Sequence, residues 1–389
     1  MRETSTARTG SFDLLRIVLI VMVCTLHACG RFDALFTAGS ELSATKYAGM
    51  ILESLSIVAV NTWVIMSGYL LVMKEFKLRR FLELLVTVIF YAILGFLIVL
   101  LLAKTNTSVS SFFADELAGI FDGGIFAVVQ LLFPISAEYY WFMTCYLLLY
   151  ILTPVLNKGI RSLTKKQFEM ILLLLLIWTS LIKSIVPVNF VTDNGGYDLK
   201  WFICLYLIGA YFRLAEIGYG QVSQDQTDKE LSGVKKKPNR ETFPKSISLY
   251  FGSVILIYVL SLFFYRVNAS TGKFAYFMRV PLHYNFILTL TGACGLFLAF
   301  KNIKLGSEKT QRLFTQISSH TLGVYLLHAH PLLFYLWPLL TKQVLGFPPQ
   351  NNGLVFVLYI LLNVLFLFAC GLLADLLRKV IFSFVEKAL

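Results

Sequence analysis

The sequence predicts an all-α polytopic membrane protein of about ten transmembrane helices, with both termini cytoplasmic. Three observations carry that prediction. The 389-residue chain is 57% hydrophobic and only 14% charged, where an average soluble domain carries about 25% charged residues. Mean hydropathy is +0.73, and a soluble core has no means of hiding so much apolar surface, whereas lipid accepts it as solvent. The lysines and arginines, finally, gather in alternate loops between apolar runs, which is how a multi-pass chain sets its orientation.

Ten apolar segments have the roughly 17–25 residues of a bilayer span. The first, 12–29, follows a polar, slightly basic N-terminus. It offers no small-residue cleavage site and is interrupted by Arg16, so it reads as a retained span and not a cleaved signal. The second, 48–73, contains Glu53; the third, 81–103, follows the basic stretch FKLRR. The piece GIFAVVQLLFPIS at 124–136 is too short to span and ends at Pro134, so it reads as re-entrant or interfacial. The fourth segment, 139–156, opens on Tyr139, Tyr140 and Trp141, an interfacial aromatic belt with sugar stacking as the alternative. Segments 168–187 and 199–214 follow. The Gly/Ser/Lys-rich stretch 215–245, with its KKKPNR run, reads as a flexible cytoplasmic loop within one membrane domain spanning 1–389. The remaining segments are 246–265, 280–300, 315–340 and 353–377. Neither an appended soluble domain nor an internal repeat is evident, so the repeat signature of many transporters has no support.

Charge placement gives the orientation. One set of loops holds Lys74, Lys77, Arg79 and Arg80, then Lys158, Arg161, Lys165 and Lys166, then Lys301, Lys304, Lys309 and Arg312. The opposite set holds scattered cations such as Arg31, Lys46, Lys104, Lys273 and Lys342. The formal net charge of +12 is therefore topological and not the footprint of a nucleic-acid binder. The six cysteines are scattered through apolar runs with no CxxC pair, so they read as packing residues and neither as a disulfide framework nor as a metal site. Sequons at Asn106 and Asn268 are too common by chance to carry weight.

Ionisable residues inside spans are functional candidates by default. Arg16 and His27 are eleven positions apart in the first span. At 100° per residue they share one helix face, about 16 Å apart along its axis. Arg16 alone reads equally well as an arginine snorkelling to the interface, and His27 alone as a hydrogen-bonded interior histidine. Both on one otherwise uncharged stripe is harder to explain without chemistry. Tyr325 and His328, three apart, also share a face, with an interhelical hydrogen bond as the structural alternative. His330 points elsewhere, and Pro331 weakens helical bonding beside it. Glu53 reads as a partner for Arg16 or His27, or as the lining of a polar path; His283, near the outer end of the eighth segment, is an interfacial histidine or a sugar contact.

The stretch RIVLIVMVCTLH, an arginine, ten residues and a histidine, resembles the first-helix signature of membrane acyltransferase family three, the polytopic O-acyltransferases. Four further stretches resemble the family in the right order: NTWVIMSGYLL (61–71), FKLRRFLELL (76–85), EYYWFMTCYLLLYILTPVLN (138–157) and ISSHTLGVYLLHAHPLL (317–333). The resemblance covers nearly the whole chain. Two departures stand out: Asn61, Thr62 and Trp63 replace the usual acidic residue and paired aromatics, and Glu83 follows the arginine pair where another basic residue is frequent. The resemblance implies a multi-pass protein of the inner (cytoplasmic) membrane. It would transfer an acyl group, acetyl by family pattern, from acyl-CoA to a hydroxyl of a cell-surface or exported polysaccharide or its lipid-linked precursor. Arg79 and Arg80 would contact the donor's phosphates; positive-inside charge is the competing explanation. Arg16 would meet the pantetheine arm or polarise the thioester. His27 would act as base or transient acyl carrier, with Glu53, Tyr325 and His328 lining the substrate cavity and no metal required. On this reading Arg16, His27 and Arg79 or Arg80 border one internal tunnel. The rival readings are a glycan transporter or flippase, for which broken helices are not evident in sequence, and a non-catalytic polysaccharide-synthase subunit.

Overall fold

The structure, a computed structural model, describes residues 10–114, 140–187, 193–218, 242–303 and 305–388. The piece at 124–136, residues 219–241 of the 215–245 loop, Tyr139 and Lys304 lie outside the described residues. Among the described residues every regular element is helical. In chain order they are α1 (Gly10–Arg31), α2 (Ala44–Ser56), α3 (Ala59–Leu71), α4 (Leu78–Thr105), α5 (Thr107–Phe112), α6 (Trp141–Ser162), α7 (Lys165–Leu176) and α8 (Ile182–Ile185). They continue as α9 (Leu199–Ile217), α10 (Thr242–Thr271), α11 (Ala275–Arg279), α12 (Ile287–Asn302), α13 (Glu308–Ser318), α14 (Thr321–His328), α15 (Pro331–Leu345) and α16 (Gly353–Ala388).

Among the described residues eight helical stretches are long and apolar enough to cross a membrane. They rise to nine if the pair Glu308–His328 and Pro331–Leu345, bent by 89° at a short break, counts as one. The sixth expected segment folds as α9, which at 19 residues carries Lys200, Arg213 and Glu216 and so is more polar than the rest. The break between α14 and α15 has a local cause. Pro331 has no N–H to donate and takes the first position of a new helix, and the His330 side chain caps that helix by accepting from Leu333 N. Proline at a helix start is favourable for that reason. Side-chain caps start other helices: Ser43 for α2, a Thr164–Gln167 capping box for α7, Asp198 for α9 and Ser307 for α13. Each satisfies backbone N–H groups that a helix leaves unpaired.

Lipid removes the hydrophobic drive between helices, so close packing must hold the bundle. At Gly68 on α3 and Gly209 on α9 an added Cβ would overlap the facing helix's backbone, the Tyr206 carbonyl in one direction and the Ile65 carbonyl in the other. Glycine at both positions is what lets the two backbones meet. α1 is the hub: it packs against α2, α3, α12, α13, α14, α15 and α16. Of its most apolar window 61% is buried, against 17% for Lys165–Ile185, which places α1 inside the bundle and α7–α8 at its lipid-facing rim. Leu354, Leu358, Leu361, Leu362 and Leu365 leave an apolar exposed face on α16, suited to acyl chains and not water. All six cysteines are free, four of them buried, as packing residues.

Candidate functional site

Arg16 and His27 of α1 end up in different surroundings. In its first turn Asp13 is fully buried, where a carboxylate favours the helix N-terminus. Its Oδ1 accepts from Arg16 Nη1 at 2.6 Å and from Ser318 Oγ at 2.8 Å, while Oδ2 accepts from Thr315 Oγ1 at 2.7 Å. The Arg16 side chain is 21% exposed and Asp13's is 0% exposed. Arg16 is thus drawn to a carboxylate one turn away, and that carboxylate stitches α1 to α13.

Three turns on, His27 meets the helix break. His27 Nδ1 lies 3.0 Å from His328 Nε2, and His328 Nδ1 lies 2.9 Å from the Val324 carbonyl. The Phe334 ring stands edge-on to His27 at 4.9 Å between centroids. Beside the pair is a cavity of about 20 Å³ lined by His27, Arg31, His328, Phe334, Trp337 and Asn363 among others, room for about one water. The Arg31 guanidinium lies 3.8 Å from the Phe334 ring centre and 4.1 Å from that of Tyr335, cation–π contacts that hold it over the cavity wall. Asn363 donates to Thr341 Oγ1 at 2.5 Å, and Trp337 Nε1 is buried with no hydrogen-bond partner. Tyr325 lies against His328, ring centroids 5.9 Å apart. His330 faces away, its Nε2 3.0 Å from the Ala92 carbonyl, so it serves the helix break.

The structure joins His27, His328 and Tyr325 and separates the other expected residues from them. Glu53 is buried on α2, and its Oε2 has no hydrogen-bond partner; Arg16 bonds Asp13 and His27 bonds His328 in its place. Arg79 and Arg80 open α4 at the surface. Arg79 pairs with Glu83 at 2.8 Å, the two side chains 84% and 60% exposed, and the Arg80 guanidinium stands 5.7 Å from the Tyr150 ring. The cavity at His27 is lined by none of Arg16, Arg79 or Arg80 among the described residues.

Other polar groups explain departures and show what sequence reading missed. Asn61 is fully buried: its Oδ1 accepts from Trp201 Nε1 at 3.0 Å, and its Nδ2 donates to the Tyr284 carbonyl at 2.6 Å. An acidic residue would turn that donor into a carboxylate facing a carbonyl, so amide chemistry fits this chain's packing. Trp141, partly buried, stacks on Tyr284 at 5.7 Å and meets the exposed Tyr197 at 4.5 Å, so the aromatic residues at the start of α6 form a ring cluster with neighbouring segments. His283 Nδ1 is buried without a partner. Lys183 pairs with Asp193, and His320 Nδ1 lies 2.7 Å from Asp375 Oδ2, a carboxylate also bonded by Tyr91 and Arg378. Arg31 was legible only as an outer-loop cation, although its i+4 spacing from His27 sets both on one face.

A family model described as an acyltransferase domain matches residues 9–372. No curated protein and no solved structure matches the chain.

Proposed function

The chain belongs to acyltransferase family three, and from that membership we propose that it is a membrane-bound O-acyltransferase. It moves an acyl group, acetyl on the family pattern, from acyl-CoA to a hydroxyl of a cell-surface or exported polysaccharide or its lipid-linked precursor. Ten crossings of the cytoplasmic membrane with both termini inside belong to the same reading, because the lysine- and arginine-rich loops then share one side.

The observation that carries the reading is the His27–His328 pair beside a cavity that also holds the Arg31 guanidinium. A sugar hydroxyl is a weak nucleophile, and an imidazole nitrogen with a free lone pair can take its proton as attack proceeds. The hydroxyl oxygen attacks the thioester carbonyl carbon, its proton passes to His27, and the C–S bond breaks. The leaving sulfur takes a proton, giving an ester and free CoA thiol. Arg31 is placed to stabilise negative charge growing on the carbonyl oxygen. Arg16, paired with Asp13, would meet the polar donor arm through its guanidinium. Arg79 and Arg80, exposed on α4, would meet the CoA phosphates. A thioester arm exceeds the volume beside His27, so on this reading the wall parts to admit it.

The test is acetyl-ester analysis of surface glycan from cells producing wild type, His27→Ala or Arg16→Ala at equal membrane levels. Acetylation should vanish with His27→Ala; unchanged acetylation would overturn the assignment. One observation favours a second reading, a glycan transporter or flippase: the 89° break falls at His328–Pro331, and broken helices line many transporter sites. Purified protein in vesicles separates the two, since only an acyltransferase puts radiolabel from acetyl-CoA into glycan. A non-catalytic synthase subunit would tolerate His27→Ala in both assays.

A further inference from the structure

The hydrogen bonds around His328 fix where the proton on His27 sits. A backbone carbonyl only accepts, so the 2.9 Å contact of His328 Nδ1 with Val324 O requires the proton on His328 Nδ1. A neutral imidazole carries one N–H, which leaves His328 Nε2 as a lone pair. That lone pair faces His27 Nδ1 at 3.0 Å, so His27 Nδ1 must donate. Its own single N–H is then used, and His27 Nε2 carries the free lone pair. No hydrogen bond to that nitrogen occurs among the described residues. The chain of assignments begins at a main-chain carbonyl of α14, whose own helix holds Val324 and His328 one turn apart.

We infer that His328 is a positioning residue which, anchored on the Val324 carbonyl, locks His27 as the Nδ1–H tautomer and so presents its Nε2 as the base. This rests on the acyl-transfer reading of His27 and adds a role for its partner. An isolated neutral imidazole has no fixed choice between its two nitrogens, and the hydrogen bond made by one sets which is free. When the acceptor hydroxyl forms its bond to the thioester carbon, its proton goes to His27 Nε2. The imidazolium then holds N–H on both nitrogens, and its Nδ1–H stays on the His328 lone pair, which stabilises the charge. As the C–S bond breaks, the Nε2 proton passes to the leaving sulfur and His27 returns to its starting tautomer. His328 changes neither its proton nor its partner throughout. Phe334, edge-on to His27, limits rotation that would exchange the two nitrogens.

The experiment combines two variants with a spectrum. Glutamine at 328 can offer its amide oxygen where the imidazole Nε2 stood, whereas leucine offers nothing. Membranes containing native glycan are given radiolabelled acetyl-CoA and label in glycan is counted per protein molecule. A histidine base in the wrong tautomer loses up to about 10⁴-fold in rate. His328→Leu should lose about 10- to 100-fold in kcat, with the KM for acetyl-CoA within about threefold; His328→Gln should stay within about fivefold of wild type. Nitrogen-15 spectra of histidine-labelled protein, with His27→Gln to assign the signal, should show His27 protonated at Nδ1 in wild type and in His328→Gln, and mixed in His328→Leu. A His27 signal protonated at Nε2 in wild type overturns the inference whatever the activities. So does a His328→Leu protein that transfers at wild-type rate while His27→Ala is inactive. If His27→Ala remains active, the acyl-transfer reading fails separately, and the spectrum still decides the tautomer.

Discussion

The two ends of α1 begin from the same sequence logic, an ionisable side chain in an apolar span, and finish as opposites. At one end the charge is answered at once: Asp13 takes Arg16, Ser318 and Thr315 on its two oxygens. At the other end one histidine bonds a second, and the other ring nitrogen of His27 has no hydrogen-bond partner among the described residues. Arg31 beside it stacks on rings and has no carboxylate partner among the described residues. A saturated ion pair in low dielectric fixes two helices and has little left to give, because separating the charges is costly. An unsaturated cluster with a lone pair, a cation and a small cavity has capacity for a ligand. An ionisable residue in a span therefore signals function only once its partners are counted.

The sharpest way to break the contrast is at His27. His27→Ala should reduce acyl transfer by at least about 100-fold, the lower end of what a positioned base supplies, with acetyl esters on glycan as the readout. The variant also removes the hydrogen bond to buried His328, a cost of about 1–3 kcal/mol in stability, so transfer is counted per folded molecule. Equal transfer by the variant would make the two ends alike and the free nitrogen a packing accident.

The opposite end should respond in stability. Asp13→Asn removes the carboxylate charge that Arg16, Ser318 and Thr315 share while keeping side-chain size, and should destabilise the bundle by about 2 kcal/mol, the scale of a hydrogen bond to a charged group. Thermal unfolding in detergent measures it, and turnover per folded molecule should remain within about threefold of wild type. A stable Asp13→Asn protein with collapsed turnover would move the chemistry to this end of the helix.

How much of this was readable beforehand differs by range. The helical membrane architecture was legible because hydropathy windows report burial in lipid directly; Pro331 marked a weak point in helical bonding, but the stretch 315–340 was read as one span and the 89° break there was not foreseen. Arg16's partner was also within reach, three residues away in the first turn, yet attention to the Arg16–His27 stripe passed over Asp13. The His27–His328 bond was not legible: the residues are 301 positions apart, and each alone fitted a bland interior histidine. Glu53 shows the converse. It was rightly seen as a buried ionisable residue, but composition along one helix does not reveal that His27 already has a partner on another. The ten-segment count likewise ran ahead of what helix length and polarity support for α9, because apolar content alone does not weigh Lys200, Arg213 and Glu216 against the span.

Arg31 offers a finer cut. Arg31→Gln removes the cation over Phe334 while keeping a polar side chain. Cation–π contacts at such sites are worth about 0.5–1 kcal/mol, so stability should change little. If Arg31 stabilises charge on the thioester oxygen, transfer falls about tenfold, or about 1.4 kcal/mol in the barrier. The same tenfold loss in kcat with an unchanged KM for acetyl-CoA would assign the effect to the reacting state and not to donor binding.

The smallest effect tests whether the arginine pair on α4 belongs to the site at all. Arg79 sits in an i,i+4 pair with Glu83, both side chains mostly exposed, and such pairs contribute about 0.3–0.5 kcal/mol. Arg79→Ala should therefore leave thermal stability almost unchanged, and so should Arg80→Ala, which gives up only a ring contact at 5.7 Å. If these side chains meet the donor's phosphates, each variant should raise the KM for acetyl-CoA by about fivefold without altering kcat, and the rise should shrink as salt screens the wild-type contact. Shortened donors make this decisive. An acetyl thioester of pantetheine lacks the nucleotide phosphates, so wild type and variants should use it equally poorly. A variant that loses activity with that donor as well is acting through the bundle, and the arginines then serve orientation alone.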